Sequence, residues 1–339
     1  MVNIKDVAGK AGVSISTVSH VINGTRFVSE EKKEKVQQAI KELNYAPNAV
    51  ANSLRTKKSK TIGLVIPIGQ DENSNIFIMQ IVLGIDSVLR KNGYSTILAN
   101  SKDNLKYEKD AVIDLLSRQI DGMIIAPVLG DHKDIRHLLS GRECVFVDRL
   151  PEGMEGEDVI LSDGFSGSRD AVKGMFEAGH RKIGILCAPI GKYSNSDARL
   201  QGYYRAFEEF GIEINKDYVR ECNASLEDGY KQTKWMMENT DITALFTVSN
   251  IMGMGVVKYM QKSKKSIPED ISITVFDDYD WSMIYNPPLT TVRQDAFGMG
   301  KKSAQILMQK LENPNYIKKE YKLPTKLIIR ESWKNLNER

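Results

Sequence analysis

Apolar and polar residues recur along this chain with two different periods, and the change from one to the other divides it. In the first 45 residues the period is helical. Ile4, Val7, Ala8 and Ala11 fall on one stripe, Asn3 precedes them as an N-cap, and Gly12 supplies the left-handed residue that ends a helix. Ser14 caps a second helix that turns Val18, Val21 and Ile22 inward and leaves Ile15, Ser16, Thr17 and His20 facing elsewhere. Ser29 opens a third helix, with Glu30 and Glu31 suited to the dipole of its first turn and Val36, Ala39, Ile40 and Leu43 facing the other two. Beyond these helices the pattern changes. Apolar runs rich in β-branched residues, at 62–67, 95–99, 122–127, 145–148, 159–161, 183–188, 244–248 and 271–276, alternate with helical stretches. This alternation belongs to parallel sheets covered by helices on both faces. The expected class is therefore α/β, preceded by a small helical head. A body of about 270 residues exceeds one core and predicts two lobes. The alternation resets near 162–167, where one lobe passes to the next.

Charge sharpens the division. Residues 1–60 hold 11 Lys and Arg against 5 Asp and Glu, net +6, and the remaining 279 hold 36 against 39, net −3, summing to the whole-chain +3. A basic head on a mildly acidic body fits a polyanionic partner at one end. Periodicity alone would equally describe a generic three-helix bundle. The excess of positive charge points to duplex DNA, whose major groove admits a short helix presenting Ser, Thr and His to base edges. Lys5, Lys10, Arg26, Arg55, Lys57 and Lys58 are suited to phosphates, a contribution that falls with salt.

Residues 2–60 resemble the headpiece of the lactose-repressor/galactose-repressor family, most closely in Thr17-Val18-Ser19-His20-Val21-Ile22-Asn23 and Thr25-Arg26-Phe27-Val28. The resemblance implies that Ile15, Ser16, Thr17 and His20 read bases and that Asn23 lies near phosphates. It also matches 47–55 to the family's hinge, a short helix formed on the operator, from which Ala51, Leu54 and Arg55 carry over as DNA contacts, with Leu54 as the minor-groove wedge. The letters support that hinge independently. Residues 48–55 are too few for a stable isolated helix, and Val50 and Leu54, at i and i+4, form an apolar stripe that a second chain would cover across a two-fold axis. The expected partners are a second copy of the chain and a pseudo-palindromic operator.

The resemblance further implies two periplasmic-binding-protein-like lobes. The expected division is a headpiece 1–46, a hinge and linker 47–60 and a core 61–339. Within the core, lobe 1 comprises 61–162 plus 293–324, and lobe 2 comprises 163–292 plus 325–339. Ligands of open α/β sheets sit outside the carboxyl ends of strands. Asp148 ends one such run, Asp277 and Asp278 end another, Ser249 and Asn250 end a third, and Arg199 follows the loop after Ala188. Any one of them could equally cap a helix or solvate a loop. Matches to the family's ligand positions select Phe77, Asp148, Tyr193, Arg199, Ser249, Asn250 and Asp277 as the effector set. Carboxylates, an amide and an arginine suit a sugar or, with Lys192 and Tyr193 nearby, a sugar acid. The chain departs from the family in three places: Ser249-Asn250 replaces Asn-Asp, Ala224 stands where an aromatic platform is common, and Tyr193 stands where purine-binding members carry an arginine. A purine corepressor is the alternative those departures weaken.

Two other functions share this fold. An enzyme finds little support: Gly191-Lys192 lacks the rest of a phosphate loop, Gly253-Met254-Gly255 lacks the third glycine of a dinucleotide site, and Gly164-Phe165-Ser166-Gly167 is no nucleophile elbow. His132 and His137 fall on different helix faces, so neither a metal nor any other cofactor is expected. A solute receptor without a regulatory role would have no use for a basic head. Cys144, Cys187 and Cys222 read as buried reduced thiols. No apolar run approaches roughly 18 residues and no export leader is evident, so a cytoplasmic protein without a membrane span is expected. Only 333–339 follows the last expected strand, without a leucine heptad, which argues against a bundled tetramer.

Overall fold

The computed structural model describes residues 2–45, 58–69, 72–188, 195–313 and 315–337. The hinge 47–57 and the loop 189–194, with Ala51, Leu54, Arg55, Lys192 and Tyr193, lie outside the described residues. The chain forms two units, 1–59 and 60–339.

In the first unit, α1 (Ile4–Ala11) starts at a capping box: Asn3 accepts from the Lys5 and Asp6 amides while Asp6 accepts from the Asn3 amide at 2.8 Å. Gly12, at φ 64°, ends it. α2 (Ile15–Asn23) is capped by Ser14, whose Oγ accepts from the Thr17 amide, and Gly24, at φ 61°, ends it. α3 (Glu30–Glu42) begins after Ser29, whose side chain makes no capping bond. Val7, Ala8, Ala11, Val18, Val36 and Ala39 are buried between the three helices, with Val21, Ile22, Ile40 and Leu43 packed around them.

The second unit contains two six-stranded sheets. The first has the order β11 (Glu320–Leu323), β5 (Val159–Ser162), β4 (Cys144–Val147), β3 (Gly122–Ile125), β1 (Thr61–Ile66), β2 (Ser95–Asn100), all parallel. The second has the order β12 (Lys326–Ile328), β10 (Thr290–Arg293), β9 (Ser272–Phe276), β8 (Ala244–Thr247), β6 (Ile183–Cys187), β7 (Val219–Glu221). It is parallel except for β12, which pairs antiparallel with β10. Strands β1, β3, β4, β6, β8 and β9 are buried almost throughout, as the unbroken apolar runs predict.

Helices cover both sheets. α4 (Glu72–Leu89), α5 (Leu105–Ser117), α6 (Lys133–Leu139) and α12 (Ala296–Glu312) belong to the first sheet. α7 (Gly164–Glu177), α8 (Asn195–Phe210), α9 (Leu226–Asn239), α10 (Asn250–Lys262) and the short α11 (Asp280–Ile284) belong to the second. α4 and α12 cross so closely that a Cβ on Gly84 would lie 2.1 Å from the Phe297 carbonyl oxygen and one on Gly300 2.0 Å from that of Ile81. The chain runs from the first sheet to the second at α7, returns through α12 to β11, and crosses again to β12. Among the described residues no helix is long and apolar enough to cross a membrane, and no three His, Cys, Asp or Glu side chains gather as metal ligands would. The three cysteines are buried and unpaired, with thiols pushed up to about 12 by burial.

Candidate functional site

The exposed face of α2 carries a cluster of hydroxyls and one imidazole. Ser14 Oγ lies 2.8 Å from Ser16 Oγ and 2.9 Å from Thr17 Oγ1, so the cap that starts the helix also orients the next two hydroxyls. Ile15 stands 44% exposed on the same turn. One turn further, His20 Nδ1 lies 2.8 Å from Thr25 Oγ1, a partner reached because Gly24 reverses the chain. Ile15, Ser16, Thr17 and His20 are thus presented by a helix whose other face is held in the core. Asn23 closes α2, and Arg26 beside it is exposed. Of the lysines suited to phosphates, Lys10 is engaged by Glu42 at 2.7 Å, a pair that ties α1 to α3. The proposal that it neutralises a phosphate therefore needs that pair to open.

In the second unit, the fourth strand of each sheet in chain order ends at an aspartate in the left-handed region: Asp148 at φ 76° after β4, Asp277 at φ 77° after β9. Few residues other than glycine adopt this conformation, and asparagine and aspartate tolerate it best. Each donates its amide to the neighbouring strand, Asp148 to Ile160 O and Asp277 to Val292 O, both at 2.9 Å.

Arg199, from the second turn of α8, is buried with its guanidinium 3.7 Å from the Phe276 ring centroid and one NH donated to the Val248 carbonyl. Asp277 accepts from Gln294 Nε2 at 2.6 Å and from the Asn250 amide at the start of α10. Burial pushes the Asp277 carboxyl above its ordinary value, against the opposing pull of Arg199 and Gln294, and burial likewise pulls Arg199 down against the attraction of Asp277 and Asp148. Asp148 accepts from Asn195 Nδ2 at 2.8 Å, a bond that spans the two sheets. Asp278 is engaged otherwise: Thr291 at 2.8 Å, Arg293 at 2.8 Å and Arg330 at 2.7 Å hold its carboxyl below the usual range despite burial.

Two cavities meet at Gln294. One of about 510 Å³ is lined by Phe77, Asp277, Tyr279, Trp281 and Gln294, and the other, of about 280 Å³, by Arg149, Ser162, Asn195, Arg199 and Gln294. Among the described residues, several cavity-lining side chains carry a buried polar atom without a partner: Nε of Arg149 and Arg199, Oγ of Ser162, the Tyr279 hydroxyl, the Trp281 indole nitrogen and Oε1 of Gln294. Each such atom costs about 1–3 kcal/mol when left unbonded, so a surface bearing many is built to be completed by a polar molecule. Of the residues selected from the sequence, Phe77, Arg199 and Asp277 line these cavities, Asp148 adjoins them through Asn195 and Asn250 through its amide on Asp277, and Ser249 lines neither; Asn195, Gln294, Tyr279, Trp281 and Arg149 line them without having been selected. Asn195 had one readable signal, since it lies four residues before Arg199 and one helical turn brings both to the same side.

Residues 3–48 match the bacterial regulatory proteins of the lacI family, and residues 172–333 match a periplasmic binding protein-like domain. The HTH-type transcriptional repressor PurR of Haemophilus influenzae (strain PittEE) is 33% identical over 342 residues, covering 99% of this chain and 100% of the relative. A ribose operon repressor from another strain of Haemophilus influenzae is 34% identical over 336 residues, covering 98% of each. The Lac repressor dimer bound to operator and the anti-inducer ONPF superposes with a TM-score of 0.85 at 30% identity, covering 98% of this chain and 99% of that one. A helix-turn-helix head followed by two α/β lobes, matched end to end by transcriptional repressors, leaves no place for an enzyme reading: this chain belongs to the lacI family and is a DNA-binding transcriptional repressor.

Proposed function

We propose that this repressor binds a pseudo-palindromic operator as a homodimer and that an uncharged, polyhydroxylated effector, a sugar, held between its two core lobes sets its operator affinity. The lobes are taken as 61–162 with 293–324 and 163–292 with 325–339. The observation that carries the effector class is the set of unpartnered polar atoms around Arg199, Asp277 and Gln294. Among the described residues Arg149 lies 3.5 Å from Asp148 and buried Arg199 feels both Asp277 and Asp148, so each arginine already faces a carboxylate and a further anion would add a charge without a dedicated cation. Alternating hydroxyl donors and acceptors match amide, indole and carboxylate groups without that cost. In the head, α2 enters the major groove with Ile15, Ser16, Thr17 and His20 toward the bases and Asn23 toward phosphates, and the segment 47–57 contributes Ala51, Leu54 and Arg55.

Dimerisation is supported by an apolar stripe on α4, where Ile76, Met79 and Leu83 stand exposed, with Leu98 on the edge strand β2. Closure of the cleft around a ligand changes how two first lobes face each other and so whether two hinge segments can pair. A coupling of about 1–3 kcal/mol would alter operator affinity roughly 5- to 150-fold.

A purine effector is the second reading, favoured by relatives named as purine repressors. Against it, Ala224 is exposed and offers no ring on which a base would stack. Thermal-shift screening against sugars, sugar acids and purine bases separates the two, because a ligand raises the melting temperature by mass action. A neutral sugar is expected to raise it and to alter the mobility shift of an operator duplex. Arg199→Ala is expected to remove both responses while leaving operator binding without ligand. A response confined to purine bases would overturn the sugar reading.

A further inference from the structure

We infer that Thr25 is a positioning residue for operator recognition: its hydroxyl holds the His20 imidazole so that Nε2–H is the atom offered to the major groove. The inference rests on the reading of α2 as the base-contacting helix.

His20 lies in the second half of α2, on the side away from Val18 and the core. The helix ends at once after Asn23, and Gly24 takes the left-handed conformation that folds the following residue back along the helix surface. Thr25 is that residue, and its Oγ1 comes to 2.8 Å from Nδ1 of the ring. An imidazole on an exposed helix face otherwise rotates about its terminal torsion, and in its neutral form presents either a donor or an acceptor outward. A hydroxyl held at Nδ1 removes the rotation, and because a hydroxyl can donate or accept, the tautomer is set by which of the two partners donates. When the Thr25 hydroxyl donates, Nδ1 is the accepting nitrogen and Nε2 must carry the proton, so the edge facing outward is a donor.

A single outward donor has a defined set of counterparts in the major groove. It bonds guanine N7 or O6, adenine N7 or thymine O4, and it finds no acceptor on cytosine, whose exposed group there is an amine. Thr25, itself exposed, needs no base contact to exert this effect. Its influence on specificity passes through the ring it orients, in the way an outer hydrogen bond fixes the tautomer of a functional histidine.

The test uses the full chain and a library of duplexes randomised over the operator half-site, with wild type, His20→Ala, Thr25→Val, Thr25→Ser and the His20→Ala/Thr25→Val double variant compared by competitive binding. Thr25→Val keeps the shape and deletes the hydroxyl. It should flatten, by about fivefold or more, the preference at the same operator position that His20→Ala flattens. Thr25→Ser should retain the wild-type preference, and the double variant should match His20→Ala alone. An equal loss on all duplexes, or an intact preference in Thr25→Val beside a flattened one in His20→Ala, would overturn the positioning role and leave α2 as the reader. No change in His20→Ala itself would overturn that reading and the inference with it. A second measurement is independent of DNA: nitrogen-correlated NMR of the His20 ring should show protonated Nε2 and an accepting Nδ1 in the neutral form, and the reverse tautomer refutes the assignment.

Discussion

At the scale of single residues, the core's candidate ligand site depends on backbone conformations that few side chains accept. Asp277 holds φ 77° while its side chain accepts from Gln294 and from the first amide of α10. Its two demands can be separated by substitution. Asp277→Asn keeps a side chain that tolerates the left-handed region but leaves the buried Arg199 facing one carboxylate fewer. Asp277→Val adds backbone strain of about 1–3 kcal/mol to the same loss of charge. Chemical denaturation should therefore rank wild type above Asn and Asn above Val, and both variants should lose the ligand-induced rise in melting temperature. Equal stability of Asn and Val would show that the strand-end conformation carries no strain. Arg199 and Asp277 were legible in the sequence only through family resemblance, because an arginine in a helix and an aspartate after a strand have many ordinary uses. Gln294 stayed hidden because its partner Asp277 lies 17 residues away, and for Asn195 the helical spacing from Arg199 was readable but the bond to Asp148, 47 residues away, was not.

At the scale of elements, a buried ion pair joins α5 to the loop that leads into α6. Glu108 and His132 are both fully buried. His132 Nε2 meets Glu108 Oε1 at 2.7 Å, its Nδ1 meets the Gly130 carbonyl at 2.8 Å, and Glu108 Oε2 accepts from the Val128 amide at 2.7 Å. Since the carbonyl only accepts, Nδ1 carries a proton, and the carboxylate then selects the doubly protonated ring. Burial works against that charge, but the hydrogen bond and charge of Glu108, the Gly130 carbonyl and nearby Asp131 outweigh it and raise His132 above its ordinary 6.5. A histidine raised in the folded state contributes stability that is full below 6.5 and is lost as pH rises through the raised value. Urea denaturation at about pH 6 and about pH 8 should show wild type losing stability with rising pH, and Glu108→Gln should flatten that slope. A slope unchanged by Glu108→Gln would assign the titration elsewhere. From the sequence, His132 is weighed only as a metal ligand beside His137 and set aside, and its partner Glu108 stays unseen because it is 24 residues away. The same limit applies to strands. Long buried ones announced themselves as apolar runs, whereas β7 and β11, short, at sheet edges and half exposed, carry no such run and were not foreseen.

At the scale of the whole molecule, the two sheets of the core repeat one plan. Strands β2, β1, β3, β4, β5 in one have the order of β7, β6, β8, β9, β10 in the other, and the correspondence extends to side chains. Asp148 matches Asp277 in strand position and in φ, and Asp163 matches Asp295, each capping the helix after its strand through an amide three residues on, at 3.0 and 2.8 Å. Two equivalent strand ends thus carry one aspartate each, Asp148 bonded across the sheets by Asn195 and Asp277 bonded within its own sheet by Gln294. The outer surface breaks this symmetry. α4, counterpart of α8 by its position after the first strand of its sheet, exposes Ile76, Met79 and Leu83, with Leu83 54% exposed, whereas the exposed positions of α8 are Ala198, Gln201, Arg205, Glu208 and Glu209. An apolar stripe of this kind on a charged protein is expected to be covered by its own copy, and a self-complementary patch needs only one substitution to place two like charges against each other. Leu83→Asp should therefore shift sedimentation from dimer to monomer and weaken operator binding sharply, because two half-sites are then engaged independently. The cleft lies within one chain, so the same variant should keep its thermal response to a sugar ligand. Loss of that response together with dimerisation would mean that the pocket is completed by the second copy; retention of tight operator binding by a monomer would refute the two-fold arrangement itself.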